Sequence, residues 1–197
     1  RKVDGLKKKE IGLANKVAEQ QRQINALDKK IEQLIAYEIE QARKKAEEEA
    51  RRKAAAQKKA GKDKTANAKG GTAQTSPQTW LTPEDRKLNG TFEQNKGRLP
   101  VPITGQYMLG NRFGVYNVPG LNNVQLDNTG TNYIGRSGAR ARAVFNGEVT
   151  AIFQFNGSKN VLVRHGSYIS VYCNLSSVIV QKGQKVSTRD ILGTVQD

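Results

Sequence analysis

The stretch NVLVRHGSYISVYCNLSSVIVQKGQKVSTRDILGTV, residues 160–195, decides the fold of this chain. Strand-forming residues, Val161, Leu162 and Val163 on one side and Tyr168, Ile169, Val171 and Tyr172 on the other, flank His165-Gly166-Ser167, the pattern of two strands joined by a tight turn. Further short strands surround Lys182-Gly183. Immediately before it, ARAVFNGEVTAIFQF (141–155) reads as two strand-like runs, and Asn146-Gly147 is the residue pair that best tolerates positive φ in a two-residue hairpin. Several short strands at close spacing, with glycine at the turns, predict a mainly antiparallel sheet domain of about 100 residues, spanning 98–197.

Working back toward the N-terminus, WLTPEDRKLNGTFEQNKGRLP (80–100) carries Thr82 as an N-cap, Pro83 at the first helical position, and Glu84 and Asp85 in the first turn. A short helix ending by Gly90 is expected, so 80–97 is a helix and lead-in segment. AGKDKTANAKGGTAQTSPQT (60–79) has Gly, Thr, Ser, Asn and Pro without periodicity. It predicts a flexible linker over 61–79 that lets the two halves move independently.

Residues 1–60 are a helical arm. Val3, Leu6, Leu13, Val17, Ile24, Leu27, Ile31 and Leu34 follow spacings close to three and four, interrupted at Glu10 and Gln20. A narrow apolar seam with a period of about 3.5 predicts a coiled coil; the alternative is a lone amphipathic helix docked on the domain. After Ile39, QARKKAEEEARRKAAAQKKAGKDK keeps high helix propensity but has no apolar face, and Glu48 with Arg52 supplies i, i+4 support. It is expected to stay helical while solvated. The fold class is therefore α+β: a long N-terminal coiled-coil helix, a linker, and an antiparallel β domain.

Composition limits function without choosing it. The chain has 197 residues and a net charge of +15, from 33 Lys and Arg against 18 Asp and Glu. A positive field raises the local concentration of any polyanion. The basic helical run lacks interleaved aromatic residues to stack on bases, so no nucleic-acid partner is expected. Cys173 is the only cysteine, and no run approaches the roughly 18 apolar residues of a membrane span. An export signal, if the protein has one, would lie outside this sequence. The glycine-rich turns at 130, 135 and 138 do not form a phosphate loop, since no G-x-x-x-x-G-K-S/T is present.

GRSGARARAVFNGEVTAIF (135–153) followed by 160–195 resembles the LytM-type (lysostaphin-like) peptidase domain. The pattern is a G-x-x-V-x-A-x-x-x-G-x-V strand pair, an HG-x-Y-x-x-x-Y-x-H-L-S strand and a V-x-x-G-x-x-V-x-x-G-x-x-I-G turn. The resemblance covers about residues 98–197 and implies a fold of the duplicated hybrid motif type. Hydrolytic members hold zinc through an H-x-G-x-D turn and a later H-x-H strand, and use another His in the H-L-S segment. DNTGTNYIG (127–135), aligned on Gly130, puts Asn128 and Asn132 at the first two ligand places, and Asn174 at the H-L-S histidine. The resemblance implies that all three positions are degenerate. A neutral carboxamide is a poor zinc ligand and cannot shuttle a proton near neutral pH. The third ligand place is not readable in this sequence. His165, in the HG turn, is expected to be structural, and Cys173 to be a small packed side chain.

A seam-bearing helix, a linker, a G-x-L-P-x-P-x-x-G approach within LNGTFEQNKGRLPVPITGQYMLGNRFG (88–114), and a LytM-like domain without its metal residues together resemble the EnvC family of murein hydrolase activators. That resemblance implies a periplasmic, cell-envelope protein without enzymatic activity or cofactor. It would switch on N-acetylmuramoyl-L-alanine amidases at the division site and engage an FtsE–FtsX-type membrane complex through the coiled coil, with peptidoglycan as a further implied partner. Tyr133, Tyr172 and Asn174 are the candidate lining of the partner-binding groove. Two other readings stand beside it: an active zinc-dependent peptidoglycan endopeptidase, and a non-catalytic peptidoglycan-binding tether.

Overall fold

A computed structural model of the chain describes residues 2–60, 83–118 and 125–196. The predicted linker and Thr82 lie outside the described residues. Helix α1 runs Lys2–Ala60, 59 residues, which at 1.5 Å per residue is about 90 Å. It has no proline, and on its solvated half Glu48 pairs with Arg52 at 2.7 Å and Glu40 with Lys44 at 3.6 Å. These exposed pairs support the helix by a few tenths of a kcal/mol each.

Along α1, Ala14, Val17, Gln21, Ile24, Asp28, Ile31, Ile35, Glu38 and Ala42 are all partly buried, in strict alternation of three and four. This stripe shares Val17, Ile24 and Ile31 with the expected seam, and it meets the β domain. Asp28 accepts a hydrogen bond from the Thr129 hydroxyl, Glu38 pairs with Lys182 at 2.7 Å, and Ile39 and Ala42 line a small cleft with Arg164, Gly166 and Ile169. The two halves are thus in contact, which the expectation of independent movement did not include.

Helix α2 runs Pro83–Gln94. It passes Gly90, where the sequence suggested a stop, and the extra turn delivers Phe92 to the domain. The Asn95 side chain then bonds the Thr91 carbonyl at 2.8 Å and closes the helix end.

Among the described residues ten strands follow: β1 Tyr107–Leu109, β2 Gly114–Asn117, β3 Gln125–Asn128, β4 Tyr133–Gly135, β5 Arg140–Arg142, β6 Gly147–Phe155, β7 Ser158–His165, β8 Tyr168–Val178, β9 Lys185–Val186 and β10 Ile191–Val195. Six form one antiparallel sheet in the order β5-β10-β8-β7-β6-β9, and β1-β4 and β2-β3 form two antiparallel ribbons. The hairpin at His165 is found where expected, with Gly166 at φ 74°.

The hairpin assigned to Asn146-Gly147 is not formed. β5 pairs with β10, and β6 pairs with β7 and β9. The hairpin turn sits instead at the next such pair, Asn156-Gly157, where both φ values are positive (47° and 83°) and Phe155 faces Ser158. Gly147 serves a different need: a Cβ there would come within 2.4 Å of the Arg164 carbonyl and 2.7 Å of the His165 ring.

One face of the sheet buries Ala141, Ala143, Val149, Val161, Val163, Tyr172, Leu175, Val180, Val186 and Leu192 in a single cluster. Strand alternation sends Leu162 and Arg164 to the other face, in register with Val171 and Ile169. Leu162 is nonetheless fully buried, and α1 lies on that face. The helix therefore gives the sheet a second covered side.

Candidate functional site

The turn following β3 is built on Asn128. Its side-chain nitrogen faces three backbone carbonyls: Asn111 at 3.2 Å, Arg112 at 2.9 Å and Gly130 at 2.8 Å. Asn132 closes the same turn through its main chain, its N–H donating to the Asn111 carbonyl at 2.9 Å and its carbonyl accepting from Gly110 at 2.8 Å. Its side chain is exposed. The structure thus joins Asn128 and Asn132 in one turn, clamped to the 110–112 segment. Tyr133, at the start of β4, is half-buried and meets Tyr107 edge-on at 5.6 Å.

Asn174 lies on β8 and has a left-handed φ of 59°. The strand pairing shifts register around it, and its carbonyl accepts from Gln196 at 2.9 Å while its side chain is exposed. This overturns the expectation that Tyr172 and Asn174 share an accessible face. Tyr172 is 7% exposed and belongs to the core cluster, its hydroxyl oxygen accepting from the Val144 N–H at 2.8 Å. Regular alternation would have sent Asn174 into the core beside it. The left-handed residue breaks the alternation and turns Asn174 to solvent, so Tyr172 is not a groove residue.

The site residues named from sequence do not include α1, whose docking on the domain stood as the alternative to a coiled coil. Thr129, between Asn128 and Gly130, holds both Asp28 carboxylate oxygens at 3.1 Å. Asp28 also acts on Cys173: burial first, then the Asp28 charge, pushes that thiol up to about 11. A thiol so placed is almost wholly protonated near neutral pH and is no nucleophile. The helix thus connects the Asn128 turn to the strand carrying Asn174. The only sequence signal for this was Asp28 interrupting neighbouring apolar positions.

His165 is fully buried, as a structural histidine should be. Its Nδ1 lies 2.6 Å from the Asn146 carbonyl, its Nε2 lies 2.8 Å from Ser170 Oγ, and Phe92 of α2 stacks on it at 5.0 Å. Burial lowers its pKa below 6.5, against the opposing pull of the Asn146 carbonyl.

The residues at these positions do not fit a zinc ion. Zinc needs several N, O or S donors about 2 Å away with a place left for water, and here the positions carry carboxamides, the amide of Asn128 already engaged with carbonyls. Among the described residues no group of three or more His, Cys, Asp or Glu is gathered for a metal. What the turn offers instead is a fixed backbone shape with the exposed side chains of Thr129 and Asn132.

Residues 127–197 match the model of Peptidase family M23. No curated protein matches the chain. Among solved structures, a crystal structure from Pseudomonas aeruginosa whose protein is provisionally described as peptidase M23 is similar, with 28% identity and a TM-score of 0.40. The match covers 58% of this chain and 51% of that one, so the chain spans about half the length of that relative. The match to the Peptidase family M23 model begins at Asp127 and covers the sheet from β3 onward.

Proposed function

We propose that this protein is a non-catalytic activator of cell-wall amidases, of the EnvC type, working in the cell envelope during peptidoglycan splitting. The observation that carries the reading is the engagement of the Asn128 side chain with three main-chain carbonyls. At the place where a hydrolytic relative has a metal ligand, this chain has a group that stiffens the turn. A peptidase-shaped surface without metal chemistry is suited to binding. Its accessible edge is formed by Asn132, Asn174 and Tyr133, and the bound chain is a segment of the amidase.

The helical arm supplies the second contact. Leu13 of the seam is 54% exposed, so at this position the seam has no cover from the β domain. On this reading that end forms the coiled coil and reaches an FtsE–FtsX-type complex at the membrane. The α1 helix also lies against Thr129. An amidase segment approaching the Asn128 turn therefore meets α1.

The test mixes the purified protein with an amidase and dye-labelled murein. Dye release well above that of amidase alone, with none from this protein alone, is expected. Release by the protein alone that chelators abolish would make it an endopeptidase. Cosedimentation with murein without any effect on the amidase would make it a tether.

A further inference from the structure

The buried surroundings of His165 have a proton arrangement that their own geometry fixes. A carbonyl only accepts, so at 2.6 Å from the Asn146 oxygen the Nδ1 of His165 carries its hydrogen. In the neutral ring Nε2 is then an acceptor, and Ser170 donates to it across 2.8 Å. With the serine proton so used, the 3.2 Å contact between Ser170 Oγ and Tyr172 Oη is filled by the tyrosine proton, since hydroxyl hydrogens rotate. The Val144 N–H, at 2.8 Å, completes the relay at Tyr172. Every donor has one acceptor. Adding a proton at Nε2 breaks this match: Ser170 must then accept from the ring, and the nearest outlet for its own proton besides Tyr172 is the Val163 carbonyl at 3.5 Å.

Among the described residues no charge touches the ring to offset a positive one. From α2 it meets Phe92, stacked at an interplanar angle of 12°, and from the turn before β6 it meets Phe145 and the Asn146 carbonyl. The Glu93 carboxylate of α2 accepts the Tyr168 hydroxyl at 2.7 Å, and Tyr168 itself stacks on Phe92. Glu148 of β6 pairs with Arg164 at 3.7 Å, and strand alternation puts both on the opposite face of the sheet from His165. From β8, Tyr172 reaches the ring only through Ser170. An imidazolium here needs water, and the element that keeps water off the ring is α2.

We propose that Phe92 and His165 form a proton-operated latch, in which uptake of one proton by the ring releases α2 from the end of the β7–β8 hairpin. The same hairpin end, at Gly166 and Ile169, receives α1 through Ile39 and Ala42. Both helices seat there, so opening the latch loosens the seat they share.

Amide exchange of the full chain, corrected for the chemical rate at each pH, tests this alongside NMR titration of the ring. His165 is the only histidine, so its ring signals are unambiguous. Once the ring begins to take up its proton, exchange over residues 83–94 should rise about tenfold per pH unit, the slope of a one-proton opening, while core strands β7 and β8 stay protected. In His165→Gln that dependence should vanish. The latch is overturned if the ring stays neutral to about pH 4 with α2 protected, if the ring titrates and α2 does not loosen, or if His165→Gln keeps the same dependence. Should His165→Gln fail to fold, the ring titration set against α2 exchange in the parent protein still decides.

Discussion

At Asn174 the backbone turns to a φ of 59°, and that angle decides which side chains a partner can reach. Asn visits the left-handed region more readily than other non-glycine residues, so the position is accessible at small cost. Asn174→Glu should therefore keep the fold, losing about 1–2 kcal/mol to the backbone, while abolishing amidase activation. Tyr172→Glu should behave differently: it puts a carboxylate into the core and should unfold the domain by several kcal/mol. Thermal melting separates the two, and an Asn174→Glu protein that activates fully would move the binding surface elsewhere. Periodicity in the sequence could not distinguish these residues, because i and i+2 share a face only while φ stays negative. The structural role of His165, by contrast, was legible, since it depends on a local turn motif.

The same scale carries two further expectations. On the proposed reading Asn128 and Asn132 stand at ligand places, and the Asn128 amide is engaged with carbonyls, so calorimetry should find no nanomolar zinc site. Nanomolar zinc binding at neutral pH would contradict this. For pH, the sign follows from burial. His165 is held neutral in the folded chain, with its pKa lowered from 6.5, so the unfolded chain binds the extra proton first. The stability that His165 contributes is complete above about pH 6.5 and is lost as pH falls through the window below it, by no more than about 1.4 kcal/mol per pH unit. A melting temperature that rose on acidification from pH 7 to about pH 5.5 would refute this sign.

Among the elements, the β7–β8 hairpin was readable because strand-forming residues flank a Gly-containing turn there. The misassigned hairpin has a physical cause. Asn-Gly at 146–147 and at 156–157 carry the same local signal, and long-range needs choose between them. Asn146 is occupied with His165 through its carbonyl and with Thr188 through its side chain, at 2.7 Å from the Thr188 N–H. Gly147 is required by the closeness of β7. Asn156-Gly157 meets no such demand and is free to turn. Gly157→Val, at a φ of 83°, should therefore destabilise the β6–β7 hairpin through backbone strain alone, by about 1–2 kcal/mol in chemical denaturation, since a Cβ there meets nothing within 4 Å. Gly147→Val should cost more, because the added carbon collides with main chain.

For the whole molecule, the question is how firmly α1 holds to the β domain. Its polar contacts with Thr129 and Lys182 are weak holders: the Glu38–Lys182 pair has a lysine 61% exposed, and pairs of that kind contribute about 0–1 kcal/mol. The apolar stripe carries the attachment, since Leu162 on the covered face is fully buried and each such side chain stabilises by about 1.5–3 kcal/mol when removed from water. A stripe with strict alternation of three and four suits a sheet face as well as a partner helix, which is why sequence alone left docking and coiled coil open. Cys173 reports on the difference. Its thiol is half-buried, raised to about 11 by burial and the Asp28 charge, and is the only one in the chain. Ile24→Asp with Ile31→Asp puts two charges into the stripe and should free α1, exposing Cys173 and lowering its pKa toward 9.0. Its reaction with a thiol reagent near neutral pH should then accelerate by about tenfold or more, since the thiolate is the reacting form. Glu38→Gln alone should change the rate little. If the double variant keeps the parent's slow reaction while its β domain melts normally, α1 does not cover this face in solution, and Leu162 has some other cover.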